Sequence, residues 1–432
     1  MNKNYLLIII YICTSSALFS FGSNRYNGTQ TQRVEHVTVD PTRELRQGIQ
    51  NALNWKNANR LYSLLLQAQT EDFFKQILSI QDSYGNGKTM LSLAIEADHT
   101  PLFNMLISNN VPTNVHDASG NTLLHNAFEY NRTAMAIQLL DKNRQQINSK
   151  NNDLQTPLHF AAKYANKNLL SRLLSLQTEI NAVDNQGNTP LFYAIKHNNL
   201  EAFETLSESH ANLFIKNFNN QTVLHYAAYY GTVQILEQVI KKGLSMHDID
   251  KEGNQPLHLA CSGKQEKNIF FLTKRGSAIN HKNKFDQLPL HLAIKNRNDQ
   301  NAILFFIENG SLQDADIEGN SPLHYAAIQN NTQTILDLIN AEASLNKQNK
   351  HGFSALHIAA DNNYQTLFDL LIKHDIDQNL ISIYAETAKD ILNRKWHDNA
   401  MKILAKSIIV GITCSVIAGA ISGYIAGSFI EV

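Results

Sequence analysis

Apolar residues along the chain follow three different patterns. From residue 41 they recur at helical spacing: Leu45, Ile49 and Leu53, then Leu61, Leu64 and Leu65, then Phe73, Phe74, Ile77 and Leu78. Asp40-Pro41 supplies an N-cap and a first helical residue, so the spacing predicts helices over 41–81. Between 82 and 381, short apolar blocks separated by polar turns return at a fixed interval. At the two ends the apolar runs are continuous, over Tyr5–Cys13 and over Ser407–Ile430.

The fixed interval is set by a tetrapeptide, seen most fully as Thr156-Pro157-Leu158-His159 and Ser321-Pro322-Leu323-His324. Its first position recurs at Thr89, Thr122, Thr156, Thr189, Thr222, Gln255, Leu288, Ser321 and Ser354, with intervals of 33 or 34 residues. Asp or Asn sits five residues earlier in eight of the nine copies, as at Asp117, Asp184, Asp250 and Asp316. Gly often sits two residues earlier, where a tight turn needs positive φ. Ala stands five residues after the start in every copy, from Ala94 to Ala359, and pairs such as Leu139-Leu140 and Leu173-Leu174 close a second helix. Pro opens the first helix where its missing N–H costs nothing, and the preceding Thr or Ser can cap it. Thr89-Met90-Leu91-Ser92 lacks Pro and His, while Gln255 and Leu288 lack the capping hydroxyl, so these copies are expected to be locally weaker.

Motif, period and flanks together resemble the ankyrin repeat. The resemblance covers about Gln81 to Ile381 and implies an all-α solenoid of helix–turn–helix units with β-turn tips, here nine repeats over 82–381. Residues 41–81 would cap the array at one end and 382–402 at the other, since each repeat buries its faces only against its neighbours. The resemblance also implies that the seven motif histidines (His125, His159, His225, His258, His291, His324 and His357) hold adjoining turns together by hydrogen bonds. Finally, it implies a protein partner, met on a concave face made by the turn tips and the ends of the first helices.

The two ends read differently. Residues 1–22 have a basic Lys3, an apolar run and small residues Ser20 and Gly22 before Ser23, as a secretory signal would; an uncleaved anchor is the alternative. Residues 23–40 read as a flexible linker. Ser407–Ile430 is 24 residues without a charge, roughly 36 Å as a helix and long enough to cross a bilayer core of about 30 Å. The expectation is a transmembrane helix over 407–430. Gly411, Ser415, Gly419, Gly423 and Gly427 recur every four residues along it and would let a second helix approach closely, a basis for self-association. Arg394, Lys395, Lys402 and Lys406 precede this helix and would place the array on the cytosolic side, whereas an N-terminal signal would export it. Export by a bacterium followed by insertion into a host membrane would reconcile the two; residence in the producer's own envelope is the plainer reading.

Composition narrows the function. A net charge of −1 argues against a protein that coats nucleic acid, and three cysteines cannot form a disulfide framework. No P-loop, nucleophile elbow, paired metal-ligand motif or isolated carboxylate pair occurs, and no catalytic residue, cofactor or metal is assigned. The candidate binding residues are Lys163, Tyr164, Lys196, His197, Phe218, Tyr229 and Tyr230, at first-helix ends and a turn tip. Glu129, Tyr130, Lys295, Phe285, His351 and Phe353 occupy comparable positions. The sequence thus predicts a membrane-anchored adaptor. A membrane-active protein, oligomerising through its glycine-rich helix and targeted by its repeats, is the competing class.

Overall fold

The structure, a computed structural model, describes residues 41–67, 88–374 and 376–409. The readings placed on 1–22, 23–40, 68–81 and the apolar stretch beyond Ile409, with Gly411, Ser415, Gly419, Gly423 and Gly427, lie outside the described residues. The chain divides into units Met1–Leu45 and Arg46–Val432; beyond the first turns of α1, everything that follows belongs to the second.

Two helices lead in. Helix α1 (Pro41–Asn54) and α2 (Ala58–Leu66) bury Ile49, Leu53, Leu61, Leu64 and Leu65, and Asn57 caps α2 by accepting the Arg60 N–H at 2.9 Å. Nine helix pairs follow among the described residues, numbered here as repeats 1–9 from Thr89 to Ser354. Repeats 1–3 are α3 (Met90–Glu96) with α4 (Thr100–Ser108), α5 (Leu123–Glu129) with α6 (Thr133–Lys142), and α7 (Pro157–Tyr164) with α8 (Lys167–Leu174). Repeats 4–6 are α9 (Pro190–Lys196) with α10 (Leu200–Glu208), α11 (Val223–Tyr230) with α12 (Val233–Lys241), and α13 (Pro256–Ser262) with α14 (Glu266–Lys274). Repeats 7–9 are α15 (Pro289–Lys295) with α16 (Gln300–Asn309), α17 (Pro322–Ile328) with α18 (Thr332–Asn340), and α19 (Ala355–Asp361) with α20 (Gln365–Ile372).

First helices pack on first helices of neighbouring repeats and second helices on second helices, giving two layers with one continuous core. The motif Ala lies where the layers meet: all nine, Ala94 to Ala359, have no exposed surface, so a larger side chain would have no room. The last helix, α21 (Ala388–Ile409), packs against α19 and covers the end of the stack. Thr387 and Asp390 cap it reciprocally: Asp390 Oδ2 accepts the Thr387 N–H at 2.9 Å, and Thr387 Oγ1 accepts the Asp390 N–H at 3.2 Å. This helix runs through Ser407, so its last turn is the start of the uncharged stretch. No helix among the described residues is long and apolar enough to cross a membrane.

The turns join repeats through the backbone. In repeat 4, Asp184 accepts the Gln186 and Asn188 N–H groups on Oδ1, both at 2.8 Å, and closes a turn with Gly187 at φ +80°. At the tips, each repeat donates one N–H to a carbonyl of the previous tip: Phe218 to Gln186 at 2.9 Å, Lys251 to Asn219, Lys284 to Glu252, and Ile317 to Phe285, the last three at 2.8 Å. Every tip in this run is thereby tied to its neighbour.

Below the tips runs a side-chain ladder that alternates with a two-repeat period. Repeats 2, 4, 6 and 8 carry Asp-x-x-Gly-Asn (Asp117, Asp184, Asp250, Asp316), while repeats 3, 5 and 7 carry Asn-x-x-x-Gln (Asn151, Asn217, Asn283). From an Asp repeat to the next Asn repeat the link is direct: Asn151, Asn217, Asn283 and Asn349 donate to Asn121, Asn188, Asn254 and Asn320 at 2.8–3.0 Å. From an Asn repeat onward the link needs a tyrosine. Gln155 donates to Tyr193 at 2.6 Å, which donates to Asp184 at 2.8 Å. Gln287, Tyr325 and Asp316 do the same at 2.8 and 2.7 Å. Between repeats 5 and 6 the tyrosine position is Leu259, and the relay has no hydroxyl there.

Candidate protein-binding face

The motif histidines are structural. Thr156 N–H points at His159 Nδ1 at 3.0 Å, so Nδ1 is an acceptor and the ring proton sits on Nε2, which donates to the Asn188 carbonyl of the next repeat at 3.1 Å. His125, His225, His258 and His324 make the same bridge to Gln155, Asn254, Gln287 and Phe353. Burial dominates their electrostatics and lowers their pKa, to about 4 for His125, His159, His258 and His291. The five bridging rings are cross-braces, whereas the buried Nε2 of His291 and His357 has no hydrogen-bond partner among the described residues, so the bracing expected of seven histidines holds for five. No group of His, Cys, Asp and Glu among the described residues could hold a metal. Cys261 is fully buried, and burial pushes its thiol pKa up, which suppresses the nucleophilic thiolate.

The divergent copies differ in how they compensate. In repeat 1, Ser92 replaces His: its hydroxyl accepts the Thr89 N–H at 2.6 Å while Thr89 Oγ1 accepts the Ser92 N–H at 3.3 Å. In repeats 6 and 7 the backbone N–H of Gln255 and Leu288 still reaches the His ring, at 3.3 and 2.9 Å. Leu288 has no acceptor to return the bond, so half of that cap is missing.

Of the seven candidate binding residues, contacts pair Tyr164 with His197 and link Lys196, Tyr230 and Tyr229, while Lys163 acts on His197 through charge alone. The Tyr164 and His197 rings meet at 5.5 Å, and Tyr229 and Tyr230 meet at 4.4 Å. Lys196 Nζ lies 5.9 Å from the centre of the Tyr230 ring. Lys163 sits over Phe160 at 4.4 Å, lies 5.8 Å from the Tyr193 ring, and pairs with Glu129 at 2.7 Å. Burial, then the charges of Lys163 and Lys196, lowers the His197 pKa, so this ring adds no charge near neutral pH. Tyr164, Lys196 and His197 are exposed, and Tyr229 and Tyr230 half-buried. Phe218 stands apart at its tip; no ring or cation contact joins it to the other six among the described residues. It packs over Gly187, where a Cβ would come within 2.8 Å of its backbone nitrogen. Phe353 stacks on His357 at 5.6 Å and so contributes to the frame.

A groove lies further along the same row of tips and helix ends. Repeats 6–8 enclose an open groove of about 630 Å³. Glu252, Phe285, Ile317 and Glu318 come from the tips, and Lys295, Ile328 and Gln329 from the first-helix ends. Phe285, Ile317 and Ile328 are 44%, 45% and 42% exposed, a concentration of apolar surface that the frame does not use. Phe285 and Lys295 were recognisable by position in the repeat. Ile317 and Ile328 were not, because only the stacking shows that they share one opening.

A family model of ankyrin repeats matches the chain in five overlapping stretches, at residues 57–151, 136–217, 209–283, 267–349 and 290–382, which together run without a gap over about three quarters of its length. The neutral histidine braces, the buried alanines and the tied tips are the physical content of that match, and the chain belongs to the ankyrin-repeat family.

Proposed function

We propose that the array is a protein-binding module that meets its partner on the face made by the tips and first-helix ends. The carrying observation is that aromatic and cationic groups, Tyr164, Lys196, Tyr229 and Tyr230, gather there while remaining wholly or partly open to solvent. The tyrosines lose little entropy on contact and bury much area, which is why such residues dominate interface energies. The second helices carry their own aromatic–cation contact, Arg275 at 4.9 Å from the Phe271 ring beside the Phe270–Phe305 pair, so the choice of face rests on the tyrosines of the first-helix ends. Replacing Tyr229 and Tyr230 by Ala should abolish pulldown of the partner while leaving the far-UV circular dichroism unchanged. A partner retained by that variant would refute the assignment of the face.

The same proposal places the module at a membrane. Its support is the uncharged stretch 407–430, which follows directly from the last turn of α21 and carries the small-residue row from Gly411 to Gly427. Resistance of the full chain to alkaline extraction is expected, and its loss when 407–432 is removed. Release of the full chain at high pH would leave the array as a protein-binding module without an anchor. Export to a host remains the reading that reconciles a secretory start with a basic flank; cleavage before Ser23, read by N-terminal sequencing, is its first requirement.

A further inference from the structure

The groove of repeats 6–8 has a chemistry distinct from the aromatic cluster of repeats 3–5. Its floor is spent. Asn283 donates to Asn254 at 2.8 Å, Gln287 to Tyr325 at 2.8 Å and Tyr325 to Asp316 at 2.7 Å. Its rim backbone is spent as well, because the carbonyls of Glu252, Phe285 and Glu318 accept from Lys284, Ile317 and Lys350. A partner therefore cannot add a strand to these tips, and side chains must carry recognition. What remains open is the apolar trio Phe285, Ile317 and Ile328, flanked by the exposed carboxylates of Glu252 and Glu318. Neither carboxylate has a cation within 4 Å among the described residues, and Glu252 accepts only the Asn254 amide at 3.2 Å. Lys251 and Lys284, beside Glu252 and Phe285 in the tips, do not line the groove. Lys295, on the other wall, offers one cation for an acceptor.

We infer that this groove takes an extended peptide segment with an aliphatic or aromatic anchor and a Lys or Arg on either side. The anchor fills the space over Phe285, Ile317 and Ile328, the two cations meet Glu252 and Glu318, and Lys295 takes a backbone carbonyl. The spacing follows from the stack. Repeats packed roughly 10 Å apart put Glu252 and Glu318, two repeats apart, about 20 Å from one another. A segment in polyproline II conformation covers that in about six residues at roughly 3.1 Å each, and its three residues per turn put positions three apart on one face, so each cation stands three positions from the anchor. The carboxylates would repel an acidic segment or a phosphate backbone, and complementary charge sets both on-rate and register. This inference rests on the protein-binding reading and narrows the chemistry of the partner.

The test uses the full-length chain and fluorescent nine-residue peptides of Ser and Gly, with Leu at the centre and Arg three positions to either side. Control peptides carry Glu for Arg, or Ser for Leu. Saturable binding of the Arg–Leu–Arg peptide is expected, weakened at least tenfold by Glu for Arg and similarly by Ser for Leu. The double reversal Glu252→Lys with Glu318→Lys should invert the preference, so that the Glu–Leu–Glu peptide binds the variant better than the parent at an unchanged melting temperature. Equal binding of all peptides, no binding, or a reversal that leaves the preference unchanged would overturn the inference. Sedimentation that shows a dimer lost on Phe285→Ser would instead assign the groove to a second copy of the chain. These failures differ from failure of the broader reading, because partner capture that depends on Tyr229 and Tyr230 would survive them.

Discussion

Acid should unfold this array in a pH range set by its histidines. His125, His159, His258 and His291 have pKa values of about 4 in the fold against 6.5 when exposed, chiefly because burial penalises the charged ring. Protonation would also turn Nδ1 into a donor facing a backbone N–H, Thr156 N–H in the case of His159. Between pH 6.5 and 4 the unfolded chain binds more protons than the folded one, so stability rises with pH there and is lost as pH falls. At pH 5 the exposed ring is protonated about thirtyfold over neutral while the folded ring is still mostly neutral, a loss of about 2 kcal/mol for each histidine. Four such rings remove on the order of 8 kcal/mol, comparable to the whole stability of an ordinary domain. Depressed carboxylates such as Glu96 also destabilise the fold on acidification, but only below about pH 4.5, so the upper part of the range isolates the histidines. The assay is urea unfolding followed by circular dichroism at pH 7.5 and pH 5.0. His159→Gln, whose amide can accept from Thr156 and donate to Asn188, should cost stability at pH 7.5 yet lose about 2 kcal/mol less than the parent on acidification. A parent whose stability is flat from pH 7.5 to 5.0, or a variant with the parent's pH slope, would refute the reasoning.

Three further outcomes follow from the ladder and the turns. Leu259→Tyr supplies the hydroxyl missing between Gln221 and Asp250, in the position Tyr193 and Tyr325 hold elsewhere, and should stabilise the array by about 1 kcal/mol; an unchanged or lower urea midpoint would mean that the relay carries no net energy. Leu154 holds φ +60° and is 48% exposed, so Leu154→Gly should relieve left-handed strain and gain about 0.5 kcal/mol, whereas Gly187→Ala, at φ +80° against the Phe218 backbone, should lose more than about 1 kcal/mol; thermal midpoints in the opposite order would contradict both.

The sequence made the frame legible because the frame repeats. Ala at the layer contact announces itself nine times and the motif His seven times, five of which are inter-repeat braces. The ladder uses the same residue types but alternates over two repeats, so alignment by single repeats merges Asp184 with Asn217 and hides the pairing of Asp with Asn and of Asn with Gln. The geometry of the proposed face was legible in part: Lys163, Tyr164, Lys196, His197, Tyr229 and Tyr230 occupy equivalent helix ends in successive repeats, and stacking sets Tyr164 against His197 and Lys196 near Tyr230. Phe218 also sits at a recognisable position, yet its ring covers Gly187 of the previous turn, a choice that depends on the neighbour having no Cβ. Ile317 and Ile328 belong to one repeat but to different elements, and only the packing of three repeats shows that they open onto Phe285. The ends, 1–40 and 410–432, remain readings of composition and hydropathy.

Photo-crosslinking tests the central claim most directly. A benzophenone amino acid is placed at Tyr230 and at Phe285, on the tip and helix-end face, and at Leu304, partly exposed on the second helix of repeat 7. Irradiation of cells making the full chain should join the first two positions to one protein of defined mass and leave the third unjoined. Adducts formed from Leu304 alone would contradict the account, because the partner would then lie on the second-helix face.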